Sequence, residues 1–317
     1  PNLKGNELKY VTDAVETEWV STAGPYVSDF EKKIAEYVKM PGAVSTQNGT
    51  SALHVSLLLS GVTREDAVIV PTLTFIAAVN PTKYIGAEPV FMDCDDSLCL
   101  DPIKLKRFCE EECDFKAGKL IDRATGRHIK AMVVVHVFGN MADMEAIMYI
   151  AKEYNIKVVE DATEALGTYY TEGRYAGKYA GTIGDFGCYS FNGNKIITTG
   201  GGGMIVSNDD ALLSHAKHLT TQAKADQANF IHDEIGFNYR MTNLQAALGL
   251  AQLEQLEDFI KTKERNYHLY KNAIDKMPGL HVQDFREGIR SNYWFYSVVF
   301  ENDETGRDHL IEALKEA

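Results

Sequence analysis

No stretch of this 317-residue chain approaches the roughly 18 consecutive apolar residues needed to cross a bilayer. The longest candidate, Ala131 to Phe138, is interrupted by His136 and suits a buried strand. Positive charge is also in short supply. There are 32 Lys and Arg against 45 Asp and Glu, a net charge of −13. Such a chain repels a polyphosphate, so nucleic acid is excluded as a main partner. Cysteine is sparse and odd in number. Cys94, Cys99, Cys109, Cys113 and Cys188 are scattered, and no second pair lies at a zinc-ribbon distance from Cys109 and Cys113. Neither a metal centre nor a disulfide framework is expected. A reducing cytoplasm suits such thiols, and no membrane partner is expected. No charged, then apolar, then small-residue leader pattern follows Pro1. Two nucleotide motifs are missing as well: G-x-x-x-x-G-K-[ST], and a G-x-G-x-x-G placed after a strand.

What remains, 45% hydrophobic and 24% charged residues, is the balance of an ordinary globule. Short apolar runs recur at Ala67–Val70, Pro89–Met92, Ala131–His136, Ile156–Val159, Phe186–Ser190 and Met204–Val206. Helical patterns lie between several of them, at Ser51–Leu59, Thr74–Tyr84, Asp101–Cys113 and Asp143–Tyr154. This alternation predicts an α/β fold with a mainly parallel sheet covered on both faces. A polar stretch, Phe115–Lys130, with Thr125-Gly126 inside it, predicts a surface hairpin. After Asn238 the pattern changes. Thr242 and Gln245 predict a capping box that opens one long helix toward Asp275. A turn at Pro278-Gly279, a strand at Tyr293–Phe300 and a helix from about Asp308 follow. A large domain over residues 1–240 and a smaller α+β domain over 241–317 are expected. The last helix runs to Ala317, so the small domain is expected to be incomplete.

Ligands of an open parallel sheet collect beyond the carboxyl ends of its strands, and four features fall there. Asp161 ends an apolar strand, where a fixed carboxylate suits a cationic ring nitrogen or a metal, or else caps a helix. Lys195 sits among Phe191, Ile196 and Ile197 with glycines on both sides, and partial desolvation makes an amine a usable nucleophile. The glycines at 200–203 leave room for a flat ligand or another backbone. Gly49, Thr50 and Ser51 open a helix whose free N–H groups and hydroxyls make an anion site. Ser190, at the end of its strand, is placed to join them. An amine, a carboxylate and a hydroxyl-lined phosphate cup together are what pyridoxal 5′-phosphate demands.

The segments GTSALHVSLL, VPTLTFIAAVNP, VEDATEALG, SFNGNKIITTGGGG and GFNYRMTNLQAALGLAQL, in that order, resemble the DegT/DnrJ/EryC1/StrS sugar aminotransferases. The resemblance implies the type I aminotransferase fold, with its mainly parallel sheet and smaller α+β C-terminal domain, and pyridoxal 5′-phosphate as cofactor. It implies Lys195 as Schiff-base lysine and proton shuttle, Asp161 on the pyridine nitrogen, Glu164 beside the ring and Phe75 stacked on it. Thr50, Ser51 and Ser190 would hold the phosphate, and Asn238 would reach it from the neighbouring subunit of a homodimer. Trp19, Ser21, Thr22, Asn292, Tyr293 and Trp294 resemble sugar-pocket residues, and His136 is placed near the site by its strand end. Glu164 stands where many members carry Gln or His, and Gly201 where many carry an acid. Both changes resemble the sub-group that makes 4-amino-4,6-dideoxy-N-acetylhexosamine nucleotides for legionaminic acid or bacillosamine. The implied reaction moves the amino group of L-glutamate to C4 of a nucleotide-linked, UDP-carried 4-keto-6-deoxy-N-acetylhexosamine, for bacterial lipopolysaccharide or other surface polysaccharide. The rivals are another pyridoxal-phosphate enzyme on a nucleotide sugar, such as a dehydratase, and a non-catalytic sugar-nucleotide sensor. Related dehydratases carry His in place of the lysine, which Lys195 argues against.

Overall fold

The computed structural model describes residues 1–226, 228–301 and 306–316. Helices α1 (Glu7–Glu16) and α2 (Pro25–Val38) lead into β1 (Gly42–Thr46), α3 (Gly49–Leu59), β2 (Asp66–Pro71), α4 (Asn80–Ile85) and β3 (Glu88–Met92). Next come α5 (Pro102–Glu111), β4 (Cys113–Lys116), β5 (Lys119–Asp122), β6 (His128–Val135), α6 (Met144–Tyr154) and β7 (Lys157–Asp161). Then follow β8 (Tyr169–Tyr170), β9 (Phe186–Ser190), β10 (Gly203–Ser207), α7 (Asp210–Thr220), β11 (Lys224–Asp226) and β12 (Ile231–His232). The chain continues through α8 (Asn243–Leu253), α9 (Leu256–Ile274), β13 (Leu280–Val282), β14 (Ile289–Arg290), β15 (Val298–Phe300) and α10 (Gly306–Glu316).

The central sheet has the order β1-β10-β9-β7-β6-β2-β3, with the β4–β5 hairpin attached to β6. Pairings from β9 to β3 are parallel, and β10 runs antiparallel to both β9 and β1. The carboxyl ends of β1, β9, β7, β6 and β2 therefore meet at one edge. Val68 to Val70 and Ala131 to Val134 are wholly buried, as strands covered on both faces must be. β10 shows the pleat directly: Ile205 joins the core under α3 and α6, whereas Met204 and Val206 join the one under α2 and α8.

Several local expectations are corrected. The helix expected over Thr74–Tyr84 is a single 3₁₀ turn, Ile76–Ala78, followed by α4, because Pro81 fits only a helix's first turn. The helix expected to reach Cys113 stops at Glu111, and Cys113 opens β4. The long helix after Thr242 breaks into α8 and α9, although its capping box is present. At the break the side chains turn to α1: Glu254 accepts from Asn6 and Tyr10, and Gln252 and Gln255 donate to Glu7. The strand expected over Tyr293–Phe300 is confined to Val298–Phe300, since Tyr293 has a φ of 52°. The hairpin turn lies at Ala117-Gly118, and Thr125-Gly126 makes the next turn, into β6. Ala317 lies outside the described residues.

Glu160, the next-to-last residue of β7, is a charged group with no exposed surface. Its carboxylate accepts from the backbone N–H of Gly181, Ile183 and Gly184 at 2.9, 2.6 and 2.5 Å, and from His136 Nε2 at 2.8 Å. The Ala142 N–H donates to His136 Nδ1 at 3.2 Å, which places the ring proton on Nε2, facing Glu160. One carboxylate thus ties the loop before β9 and the end of β6 to β7. Replacing it by Gln sets an amide N–H₂ against N–H donors. Glu160→Gln is expected to lower unfolding free energy by about 1–3 kcal/mol in urea titrations, with an unchanged m-value.

Candidate active site

Where the strand ends meet, a cavity of about 610 Å³ opens. Each wall comes from a different loop. Asn48, Gly49 and Thr50 follow β1, Phe75 follows β2 and Phe138 follows β6. Asp161, Thr163 and Glu164 end β7, Ser190 and Lys195 follow β9, Gly201 precedes β10, and Trp294 and Phe295 come from the C-terminal part. A wider groove of about 1100 Å³ lies between α5 and α6, but two of its cations are committed there, Lys104 to Asp93 and Lys106 to Glu110.

Strand alternation decides the roles of the two adjacent acids. Glu160 points into the protein, so Asp161 points to the cavity. The Asp161 carboxylate is buried and accepts from the Thr163 N–H at 3.0 Å. Among the described residues no Lys or Arg forms an ion pair with it. Burial pushes its pKa above the usual carboxylate range, against the pull of the Lys195 charge. Glu164 is raised by the same cause, while its Oε2 accepts from the Phe138 N–H at 2.7 Å and its Oε1 lies 3.7 Å from Lys195 Nζ. Lys195 is held by a turn, its N–H bonded to Asn192 O at 3.0 Å, and its side chain is only 13% exposed. Its Nζ lies 4.3 Å from the centre of the Trp294 ring. Trp294 is fixed in turn by Nε1–H to Asn194 O at 2.7 Å and by stacking on Phe295, with centroids 3.8 Å apart.

The N-terminus of α3 also faces the cavity. Its cap is Asn48, whose Oδ1 takes the Ser51 N–H at 2.8 Å. Thr50 and Ser190 line the cavity, whereas Ser51 is buried and outside the lining. Gly49 is obligatory, since a Cβ there would come within 2.9 Å of Ser190 Cβ. The glycine tract divides similarly. A Cβ on Gly203 would lie 2.5 Å from the Asn48 backbone, but Gly201 faces open cavity and has no atom nearer than 3.8 Å to its would-be Cβ.

Apart from Phe75, the other predicted residues do not join this cavity. His136 is sealed inside by Glu160 and Ala142, and Asn292 is buried, donating to the Glu164 and Leu166 carbonyls. Tyr293 packs against Tyr267 and Phe285. The carbonyls of Trp19 and Ser21 accept from Asn243, which places the loop that also holds Thr22 beside α8. Asn238 bridges to Thr221. Phe75 lines the mouth and stays 73% exposed. Sequence reasoning missed Asn48, although Asn before Gly-Thr-Ser is a standard capping signal. Phe138 and Phe295 carried no local signal.

The profile of the DegT/DnrJ/EryC1/StrS aminotransferase family matches residues 1–317. The chain belongs to this family. It is 40% identical to GDP-perosamine synthase of Escherichia coli O157:H7, over 100% of this chain and 82% of that one. It is 30% identical to the UDP-4-amino-4,6-dideoxy-N-acetyl-beta-L-altrosamine transaminase of Campylobacter jejuni, over 100% and 80%. The crystal structure of the aminotransferase TlmJ from Streptoalloteichus hindustanus superposes with a TM-score of 0.88 at 28% identity, covering 100% of this chain and 81% of that one. The DegT-family fold expected from sequence is thus present, and the chain is a pyridoxal-phosphate-dependent sugar aminotransferase of nucleotide sugars.

The residues present fit that cofactor: a shielded amine, a helix N-terminus beside two hydroxyls, and a buried carboxylate with no ion pair to Lys or Arg among the described residues. The last point has a cost in the cofactor-free protein. The folded-state pKa of Asp161 lies above its unfolded value, so the stability this carboxyl contributes is present in acid and lost as pH rises through the folded value. Cofactor-free Asp161→Asn is therefore expected to melt above the wild type at pH 7. The gap should close below about pH 4, as read by thermal unfolding across pH, while the variant binds the cofactor less tightly.

Proposed function

We propose that this enzyme transfers the amino group of L-glutamate to C4 of a 4-keto-6-deoxyhexose carried on a nucleoside diphosphate, for bacterial surface polysaccharide. The observation that carries the reading is the placement of the Lys195 amine and the Asp161 carboxylate on one cavity with the α3 N-terminus. Lys195 would hold the cofactor covalently, Asp161 its ring nitrogen, Phe75 one face and Glu164 an edge. Thr50, Ser190 and the first turn of α3 would take the phosphate, and Ser51, whose N–H is held by Asn48 and whose hydroxyl is buried outside the lining, would join them only if that cap opens. Bound, pyridoxal phosphate supplies an electron sink for cleavage at the α carbon of an amino acid.

The chain's own side chains supply the rest. Lys195, released by the incoming amine, takes the proton from the donor's α carbon and later returns one to C4 of the sugar. Glu164 Oε1 keeps that amine in reach, and its Oε2 fixes Phe138 in the facing wall. Trp294 lies over the amine and excludes water from it. A homodimer is part of the proposal: Asn238 lies outside this chain's own cavity while Phe75 stands open at its mouth, an arrangement that a second copy completes. The division at residue 240 and a cytoplasmic location belong to the same reading. All five cysteines are free thiols, and no helix among the described residues is long and apolar enough to cross a membrane.

The nucleotide is the open choice between two supports. The 40% identical relative makes GDP-perosamine, which favours guanosine, while the 30% identical relative acts on a UDP-sugar, as the sequence motifs suggest. Purified enzyme offered L-glutamate with GDP- and UDP-linked 4-keto-6-deoxy sugars should release 2-oxoglutarate with one of them, the GDP sugar first. Glutamate-independent dehydration, or no release with any keto sugar, contradicts the reading. Lys195→Ala should lower turnover at least about 100-fold with its unfolding curve unchanged.

A further inference from the structure

Away from the cavity, four side chains bring ligand atoms together between α7 and the segment that follows β12. His215 and His218 stand one turn apart on α7, His218 in its last turn. Asp233 and Glu234 come from the returning chain. His218 Nε2 lies 2.7 Å from Asp233 Oδ1 and 3.5 Å from Glu234 Oε1, and His215 Nε2 lies 2.7 Å from the same Glu234 oxygen. The ligand atoms of His218, Asp233 and Glu234 all fall within 4.8 Å of one another. We propose that His218, Asp233 and Glu234, with His215 turned in as a fourth ligand, form a divalent transition-metal site, suited to Zn²⁺, unconnected with the amino-transfer chemistry.

The chemistry favours that ion. Two imidazoles and two carboxylates make a nitrogen and oxygen set typical of zinc, whereas calcium and magnesium prefer oxygen alone. Ligands about 2.0–2.1 Å from a tetrahedral zinc stand roughly 3.3 Å apart. The 3.5 Å pair is already at that spacing and the two 2.7 Å pairs need to open by about half an ångström, while His215, outside the trio whose atoms all lie within 4.8 Å, has to turn inward about the Glu234 oxygen. Two carboxylates balance a 2+ charge, and the carbonyl end of α7 adds partial negative charge. The neighbouring cation, Lys217, is turned away to Glu31.

The framework holds the ligands without relying on their own bonds. The Asp233 N–H reaches Ala223 O at 3.3 Å, and the Phe237 N–H reaches Leu219 O at 2.7 Å. Between them, Gly236 presses so closely on the turn after α7 that a Cβ would lie 2.2 Å from Ala223 N. Both halves of the site are thereby pinned to one helix end. The His218 and Glu234 side chains keep 26% and 40% of their surface, so an ion can enter from solvent. The same segment continues directly to Asn238, so an ion here would stiffen its approach. Sequence spacing hides the site, because the two pairs lie in different elements.

The rival is a pair of histidine–carboxylate ion pairs that bind no metal. Cofactor-loaded enzyme, stripped of metal with a chelator and dialysed, is titrated with Co²⁺ and then with Zn²⁺, following visible absorption and thermal unfolding. The proposal expects one Co²⁺ per chain with four-coordinate ligand-field bands, displacement by Zn²⁺, and a raised melting temperature. His218→Ala and Glu234→Gln should each weaken binding about tenfold or more, with metal-free melting unchanged. His232→Ala, whose Nδ1 bonds the Gln222 carbonyl instead, should not weaken it. Absence of ligand-field bands, or binding that survives both ligand substitutions, overturns the site.

Discussion

A carboxylate held inside the protein with no cation of its own is the constraint on which the rest of this molecule depends. Asp161 can occupy that place only because its neighbour is anchored. Glu160 accepts four hydrogen bonds and locks β7 to the end of β6 and to the loop before β9. With the strand unable to rotate or slip, alternation turns Asp161 to the cavity. The price is a raised pKa, a strain that the protonated ring nitrogen of the proposed cofactor pose would relieve. The structure is least comfortable where it does its work, as functional sites commonly are.

The same division of labour is visible around Lys195. The lysine itself is positioned by a short turn, and everything that conditions its amine comes from elsewhere: Glu164 from the loop after β7, Trp294 from beyond α9. A second lysine is shielded as well. Lys263 donates to the Trp294 carbonyl at 3.1 Å, and burial lowers its pKa. It faces a neighbouring cavity of about 300 Å³, behind Trp294. Among the described lysines, only Lys195 shares a cavity with Asp161.

The layered fold and the chemistry-bearing residues at its strand ends were legible in the sequence because they rest on local signals: apolar strands, a capping box, an acid after a strand. Asp161, Lys195, Thr50 and Ser190, singled out from such signals, all line one cavity. What could not be read was contact between distant segments. His136 looked like a site residue because it ends a strand, but its partner Glu160 takes it out of reach. Asn292 looked like a sugar ligand, but it is spent on the Glu164 and Leu166 carbonyls. The break between α8 and α9 comes from α1, more than 200 residues earlier, to which Gln252, Glu254 and Gln255 bond.

The central claim is that pyridoxal phosphate is carried by Lys195 opposite Asp161, and the most direct measurement is chemical. Borohydride reduction of the loaded enzyme, followed by proteolysis and mass mapping, should leave the reduced pyridoxyl group on the peptide containing Lys195. A label on Lys263, or no label on folded, cofactor-loaded protein, would contradict the account.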